Sequence, residues 1–175
     1  MNERDKIGLL IPEAKAKCLE IEAKCKEKGF DLLIYCTYRS FEEQAKLFRQ
    51  SHSYNEIIMK SDELRSNGFV FLAETLIEVG SQYGKWATDS SPGESWHQYK
   101  EAFDAVPMVN KITLWDYDEN KEYWDIYIDL ISKCGMFAGA NMRKKDMPHC
   151  QLRPLHTKPL DMFSPAQVKI YWLNS

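Results

Sequence analysis

At 175 residues, the chain is long enough for one domain with its own core and needs no disulfide staples. Apolar residues at 44% and charged residues at 28% are ordinary for a soluble globular protein, and a net charge of −3 lacks the basic footprint of a nucleic-acid binder. No apolar run reaches the roughly 18–20 residues that span a bilayer, so neither nucleic acid nor a membrane interior is an expected partner.

The N-terminal residues Met1 to Lys6 are polar and lead into only a short apolar stretch, Ile7 to Ile11. They lack the h-region and cleavage site of a secretory signal, so a protein kept in the cytosol, or released by another route, is expected. Five cysteines, Cys18, Cys25, Cys36, Cys134 and Cys150, form no CxxC pair. Free, mostly buried thiols are the expectation. Cys18 and Cys25, seven apart in a helical pattern with no histidine near, read as packing residues.

From Pro12 to Lys28, Ala16, Leu19, Ile21 and Ala23 alternate with charged residues. Pro12 suits a first turn and Gly29 a C-terminal cap, which predicts an amphipathic helix. Phe30 to Thr37 is rich in strand formers and reads as a buried strand. Ser40 with Glu43 three positions on is a capping-box pattern opening a helix from Phe41 to about Gln50. Ser51 to Gly68 is polar and fits either a loop or a helix–loop stretch.

Val70 to Val79 has helical spacing and ends at Gly80, and Asp89 to Gly93 is a loop by its Ser, Pro and Gly content. Ala102 to Val106 and Lys111 to Trp115 are strand candidates. Tyr123 to Lys133 reads as a helix closed by Gly135, and a short strand is expected at Cys150 to Leu152, after the break at Pro148. No repeat or linker is visible. Segregated helices and short strands predict a single α+β domain.

Two segments carry the chemistry. Ser95 to Asp104 holds His97 and, seven positions on, Asp104; Asp146 to His149 sets a second carboxylate three positions before a second histidine. Three ligands and an open position make a catalytic zinc site, whereas structural sites are closed by four. Spacing alone permits such a site without proving it. Residues seven apart are separated by about 10 Å of rise in a helix and face opposite ways in a flat strand, so His97 and Asp104 share an ion only if the chain bends between them. Asp146 and His149 likewise diverge unless Pro148 interrupts regular geometry. Otherwise both histidines are ordinary core or surface residues.

Ser95-x-His97-x6-Asp104 resembles the SxHxxGxAxD motif of the peptidoglycan metallopeptidases that include D-alanyl-D-alanine carboxypeptidases and dipeptidases. Asp146-x-Pro148-His149 is similar to the DxPHF signature of the branch that cleaves L-alanyl-D-glutamate bonds, which contains many phage endolysins. Tyr38-Arg39-Ser40 with Gln44 resembles the YRS-x3-Q segment of that family, and Gly93 to His97 looks like the endolysin branch. The three motifs stand in the family's order, over about Thr37 to Leu152.

The resemblance implies a small antiparallel sheet flanked by helices, with zinc in a cleft. It makes His97, Asp104 and His149 the metal ligands and Asp146 the general base. Arg39 is then expected to contact a substrate carboxylate or the oxyanion, with Gln44 supporting that wall and Ser95 lining the substrate site. The expected partner is the peptidoglycan stem peptide, and the expected protein is a monomeric peptidase of one domain over residues 1–175, with its motif-bearing core at about 30–153 and no separate wall-binding module. An endolysin of that kind accumulates in the host cytoplasm and acts on the wall after release.

Three positions depart from the family pattern. Lys100 replaces the glycine between the first two ligands, and at positive φ a lysine there costs on the order of 1 kcal/mol. Cys150 replaces the phenylalanine after the last histidine, and Gly135 to Asn141 replaces a tryptophan–glycine stretch. The alternatives are a D-alanyl-D-alanine carboxypeptidase or dipeptidase on the same fold, and an inactive wall-peptide binding domain. A Cys150–His149 nucleophile pair is disfavoured, because adjacent strand residues point apart. His52 and His156 read as ordinary surface or loop residues. Trp115, Tyr117, Tyr123, Trp124 and Tyr127 are expected to serve as core and rim packing more than as a sugar platform.

Overall fold

A computed structural model describes residues 3–175, so Met1 and Asn2 of the N-terminal stretch lie outside it. In chain order the elements are α1 (Glu3–Gly8), α2 (Pro12–Glu27), β1 (Asp31–Cys36), α3 (Phe41–Ser51), α4 (Tyr54–Ser66) and α5 (Val70–Glu78). After a 3-10 turn (Trp96–Tyr99) come β2 (Ala102–Val109), β3 (Ile112–Thr113), α6 (Lys121–Lys133), β4 (Phe137–Ala138), β5 (His149–Gln151), α7 (Pro159–Met162) and α8 (Pro165–Leu173). The class is α+β, an antiparallel sheet with helices.

The chain forms two compact units. The first combines the N-terminal residues up to Tyr38 with Tyr99–Thr157, and the second combines Arg39–Gln98 with Lys158–Ser175.

The first unit holds the whole sheet, in the order β1-β2-β5-β4 with β3 paired to β2, all antiparallel. The helix α2 buries Ala14, Cys18, Ile21 and Cys25 at helical spacing. This stripe differs from the alanine-rich one expected from the sequence, since Ala16 and Ala23 are exposed. The thiols are the reason: reduced cysteine packs as a small apolar residue. Burial pushes the Cys18 and Cys25 thiols up to about 12. Opposite this stripe, α6 contributes Trp124, Tyr127 and Ile131 to the same core. The Trp124 indole N–H donates to the Leu114 carbonyl at 2.8 Å, satisfying its one polar atom.

In the second unit the ambiguous stretch from Ser51 to Gly68 is the helix α4. Its start is a reciprocal capping box, in which Ser53 accepts from the Glu56 amide while the Glu56 carboxylate accepts from the Ser53 amide. Ser40 caps α3 by accepting from the Glu43 amide at 3.0 Å. The loop after α5 is tied back by Ser51, whose hydroxyl accepts the Ala87 and Thr88 amides. The C-terminal helix α8, capped by Ser164 and Gln167, buries Val168 and lends the Trp172 indole N–H to the Thr75 hydroxyl at 3.0 Å. Among the described residues no helix is long and apolar enough to cross a membrane.

Candidate metal and substrate-contact site

Three neighbouring strands of the first unit bring chemistry-bearing side chains into one row. Pairing of β2 with β5 sets Asp104 opposite His149, and pairing of β1 with β2 sets Cys36 opposite Asp104. The second pairing depends on a bulge. Ile34 pairs with Ala105, so regular alternation would pair Cys36 with Phe103; the extra residue, Tyr35, shifts it to Asp104. A Cys36 sulfur and an Asp104 carboxylate oxygen then lie within 4.8 Å of each other.

Asp104 and His149 are each 7% exposed. His149 Nδ1 lies 3.1 Å from Asp104 Oδ1, and His149 Nε2 lies 2.9 Å from Gln151 Oε1. Burial pulls the His149 imidazole down, but the Asp104 hydrogen bond and charge, with help from Asp146 and Gln151, outweigh it and hold the ring above its ordinary value. The donor set suits a metal. Tetrahedral zinc with nitrogen and oxygen ligands at about 2.0–2.1 Å separates two ligand atoms by roughly 3.3 Å, close to the spacing of Nδ1 and Oδ1.

The segment before His149 is not regular strand. The His149 amide donates to the Asp146 carbonyl at 3.2 Å and the Asp146 amide to the Gly139 carbonyl at 3.1 Å, closing a turn over Met147 and Pro148. Gly139 is required by crowding: a Cβ there would meet the Asp146 carbonyl oxygen at 2.5 Å and His149 Cβ at 2.8 Å. Asp146 itself is an exposed residue. Pro148 thus provides the expected break, and its carbonyl accepts from the Ala105 amide of β2 at 3.1 Å.

Lys100, at the family's glycine position, has φ 61. The backbone keeps the left-handed turn and the lysine bears its steric cost. Its ammonium lies 5.3 Å from the centroid of the Tyr38 ring, a cation–π contact of about 0.5–1 kcal/mol that offsets part of that cost.

The second unit holds the remaining candidates. Arg39 precedes α3 and donates from Nη1 to Gln44 Oε1 at 3.0 Å. Gln44 is fully buried and its amide donates to the Ser90 carbonyl at 2.7 Å. One glutamine therefore holds both the arginine and the loop. His97 is buried in the 3-10 turn. Ser95 is half-buried at the start of that turn, its carbonyl accepting from the Gln98 amide at 3.1 Å. The approach to this turn needs Gly93, with φ 93, where a Cβ would meet Leu72 at 2.6 Å and Leu160 at 2.8 Å.

The VanY family, described as D-alanyl-D-alanine carboxypeptidase, matches residues 8–149, most of the chain. The chain belongs to this family of peptidoglycan metallopeptidases. The matched stretch runs through both compact units. The chain is 26% identical over 152 residues to the peptidoglycan L-alanyl-D-glutamate endopeptidase CwlK of Bacillus subtilis (strain 168), covering 83% of this chain and 74% of that one. Among solved structures it is similar to the L-Ala D-Glu endopeptidase ChiX of Serratia marcescens, at 14% identity with a TM-score of 0.45, covering 86% of each chain. It is also similar to DacB of Streptococcus pneumoniae D39, at 18% identity and a TM-score of 0.49, covering 95% of this chain and 73% of that one.

Two residues beside the metal candidates were not singled out by the motifs. Cys36 reads in the sequence as one more buried thiol, and only the bulge sets it against Asp104. Gln151 lies two positions after His149, at the spacing that shares a strand face, which is the only sequence signal it carries. Cys150, between them, is fully buried with its thiol against Met136 sulfur at 3.6 Å. Burial pushes that thiol well above its ordinary value, so it is an inert packing group and no nucleophile. Of the aromatic cluster, Trp124 and Tyr127 are core, while Trp115 is exposed and packs against Tyr35 at 5.4 Å between centroids.

Proposed function

We propose that the protein is a zinc-dependent peptidase that hydrolyses the L-alanyl-D-glutamate bond of the peptidoglycan stem peptide. In this reading His97, Asp104 and His149 hold the metal. The observation that carries it is the buried Asp104–His149 pair, two donor atoms 3.1 Å apart on neighbouring strands. Cys36, beside Asp104, is an additional donor for a thiophilic ion.

When bound, zinc supplies a water that ionises near pH 7, roughly, and polarises the scissile carbonyl. The Asp146 carboxylate accepts the proton of the attacking water and returns it to the departing amine. Arg39, steadied by Gln44, offers charge-assisted hydrogen bonds to the D-glutamate carboxylate or to the developing oxyanion. Ser95 lines the substrate beside them.

Support for the bond comes from the similarity to CwlK, named for L-alanyl-D-glutamate cleavage. The family's own description favours a second reading, a D-alanyl-D-alanine carboxypeptidase. Digestion of purified peptidoglycan with the zinc-loaded protein separates the two. New N-terminal D-glutamate is the expected product, released D-alanine would move the assignment to the second reading, and no new termini would overturn both.

The proposal extends to the place of action. The protein accumulates in the cytoplasm of a phage-infected bacterium and reaches the wall once the membrane is breached, in keeping with the endolysin-like Gly93–His97 segment. Expression in a bacterial cytoplasm should then be harmless until a membrane-permeabilising agent is added, and lysis should follow at once. Intact cells after permeabilisation would count against the lytic role.

A further inference from the structure

The His149 ring is engaged at both nitrogens, and the partner at Nε2 is itself held in one orientation. The Gln151 amide nitrogen donates to the Arg153 carbonyl at 2.8 Å and the Pro154 carbonyl at 3.2 Å. Both partners are acceptors, so this end of the side chain is the NH2 group and the opposite end is the oxygen. That oxygen, Oε1, faces His149 Nε2 at 2.9 Å. An amide oxygen only accepts, so Nε2 meets it with a proton. Nδ1 faces the Asp104 carboxylate, itself a metal candidate, so an ion held with Asp104 takes Nδ1 while Nε2 keeps its proton on Gln151.

The carbonyls that orient Gln151 are themselves anchored. The Arg153 guanidinium holds the buried Glu101 carboxylate through Nε at 2.5 Å and Nη2 at 3.2 Å. The Leu152 amide donates to the Glu101 carbonyl at 3.0 Å, extending the pairing of Ala102 with Gln151. Gln151 is 3% exposed, so water does not compete for its oxygen.

We infer that Gln151 is a positioning residue that holds the proton on His149 Nε2 and so leaves Nδ1 as the nitrogen offered to the metal. The inference rests on the zinc reading above. Outer partners of this kind set ligand orientation and basicity, and losing one typically weakens metal binding by about 10–100-fold.

Two variants isolate the effect. Gln151→Met and Gln151→Glu both forfeit the amide donation to Arg153 and Pro154, but only Gln151→Glu keeps an oxygen for the Nε2 proton. Zinc affinity by chelator competition should fall about 10–100-fold in Gln151→Met and clearly less in Gln151→Glu. Equal affinity of the two variants, whether both match wild type or both fall, would overturn the inference, because a purely structural role treats them alike.

Imidazole nitrogen NMR of the zinc-loaded wild type supplies a readout that survives misfolding of either variant. Zinc should sit on His149 Nδ1 with the proton on Nε2, and zinc on Nε2 would overturn the inference. A wild type that takes up no zinc would instead sink the zinc reading on which the inference rests.

Discussion

The two units carry their candidate residues in opposite ways. In the first, Asp104 and His149 sit on paired strands, both buried, with ladder register setting the spacing of their donor atoms. In the second, Arg39 stands in the connection ahead of α3, half-buried, and its geometry depends on one hydrogen bond to buried Gln44. A metal tolerates little error in ligand position, and buried strand residues such as Asp104 and His149 meet that demand. A group that greets a flexible peptide gains from a loop that adjusts.

The largest test of that contrast is removal of a strand-borne donor. His149→Ala should take zinc from about one ion per chain to none by elemental analysis after dialysis, with turnover falling to background. Retained stoichiometric zinc would break the assignment of the strand row as the metal site. Next comes Asp146→Asn, which should keep its zinc and lose about 10²–10⁴ in kcat. Unchanged turnover would remove Asp146 as the base.

On the adjustable side, Arg39→Ala should lower kcat/KM by about 10²–10³ with zinc affinity unaltered. Loss of zinc there would mean that Arg39 also supports the metal donors. Gln44→Leu should reproduce part of that loss and also cost about 1 kcal/mol of stability by denaturant titration, because it leaves the half-buried Ser90 carbonyl without its donor. The smallest effect is expected at Lys100→Gly. Relief of the left-handed strain, about 1–2 kcal/mol, is offset by the lost Tyr38 contact and the added chain entropy, for a net change under about 1 kcal/mol in stability. A larger loss would show that Lys100 holds the turn by more than its backbone.

Local signals made much of the fold legible. Ser40 with Glu43, Pro12 with Gly29, and the apolar face of α6 are short-range patterns whose energetics are complete within a few residues. The stretch from Ser51 to Gly68 was harder because α4 has few apolar residues to declare a face. Its capping box at Ser53 and Glu56 is the signal that resolves it. At Lys100 the sequence poses a choice between a strained lysine and a reshaped turn, and the φ of 61 decides for strain.

By itself the sequence determined the helices α2, α3, α5 and α6, the α+β class and the family, since these depend on periodicity, caps and short motifs that the chain carries wherever it folds. Only the tertiary structure decided which donors face one another. The bulge at Tyr35 and the pairing of β2 with β5 set Cys36, Asp104 and His149 in one row, and the anchored carbonyls of Arg153 and Pro154 turn the Gln151 amide oxygen to His149 Nε2. Strand register and amide orientation are settled by partners dozens of residues away, and no local pattern encodes a distance of that kind.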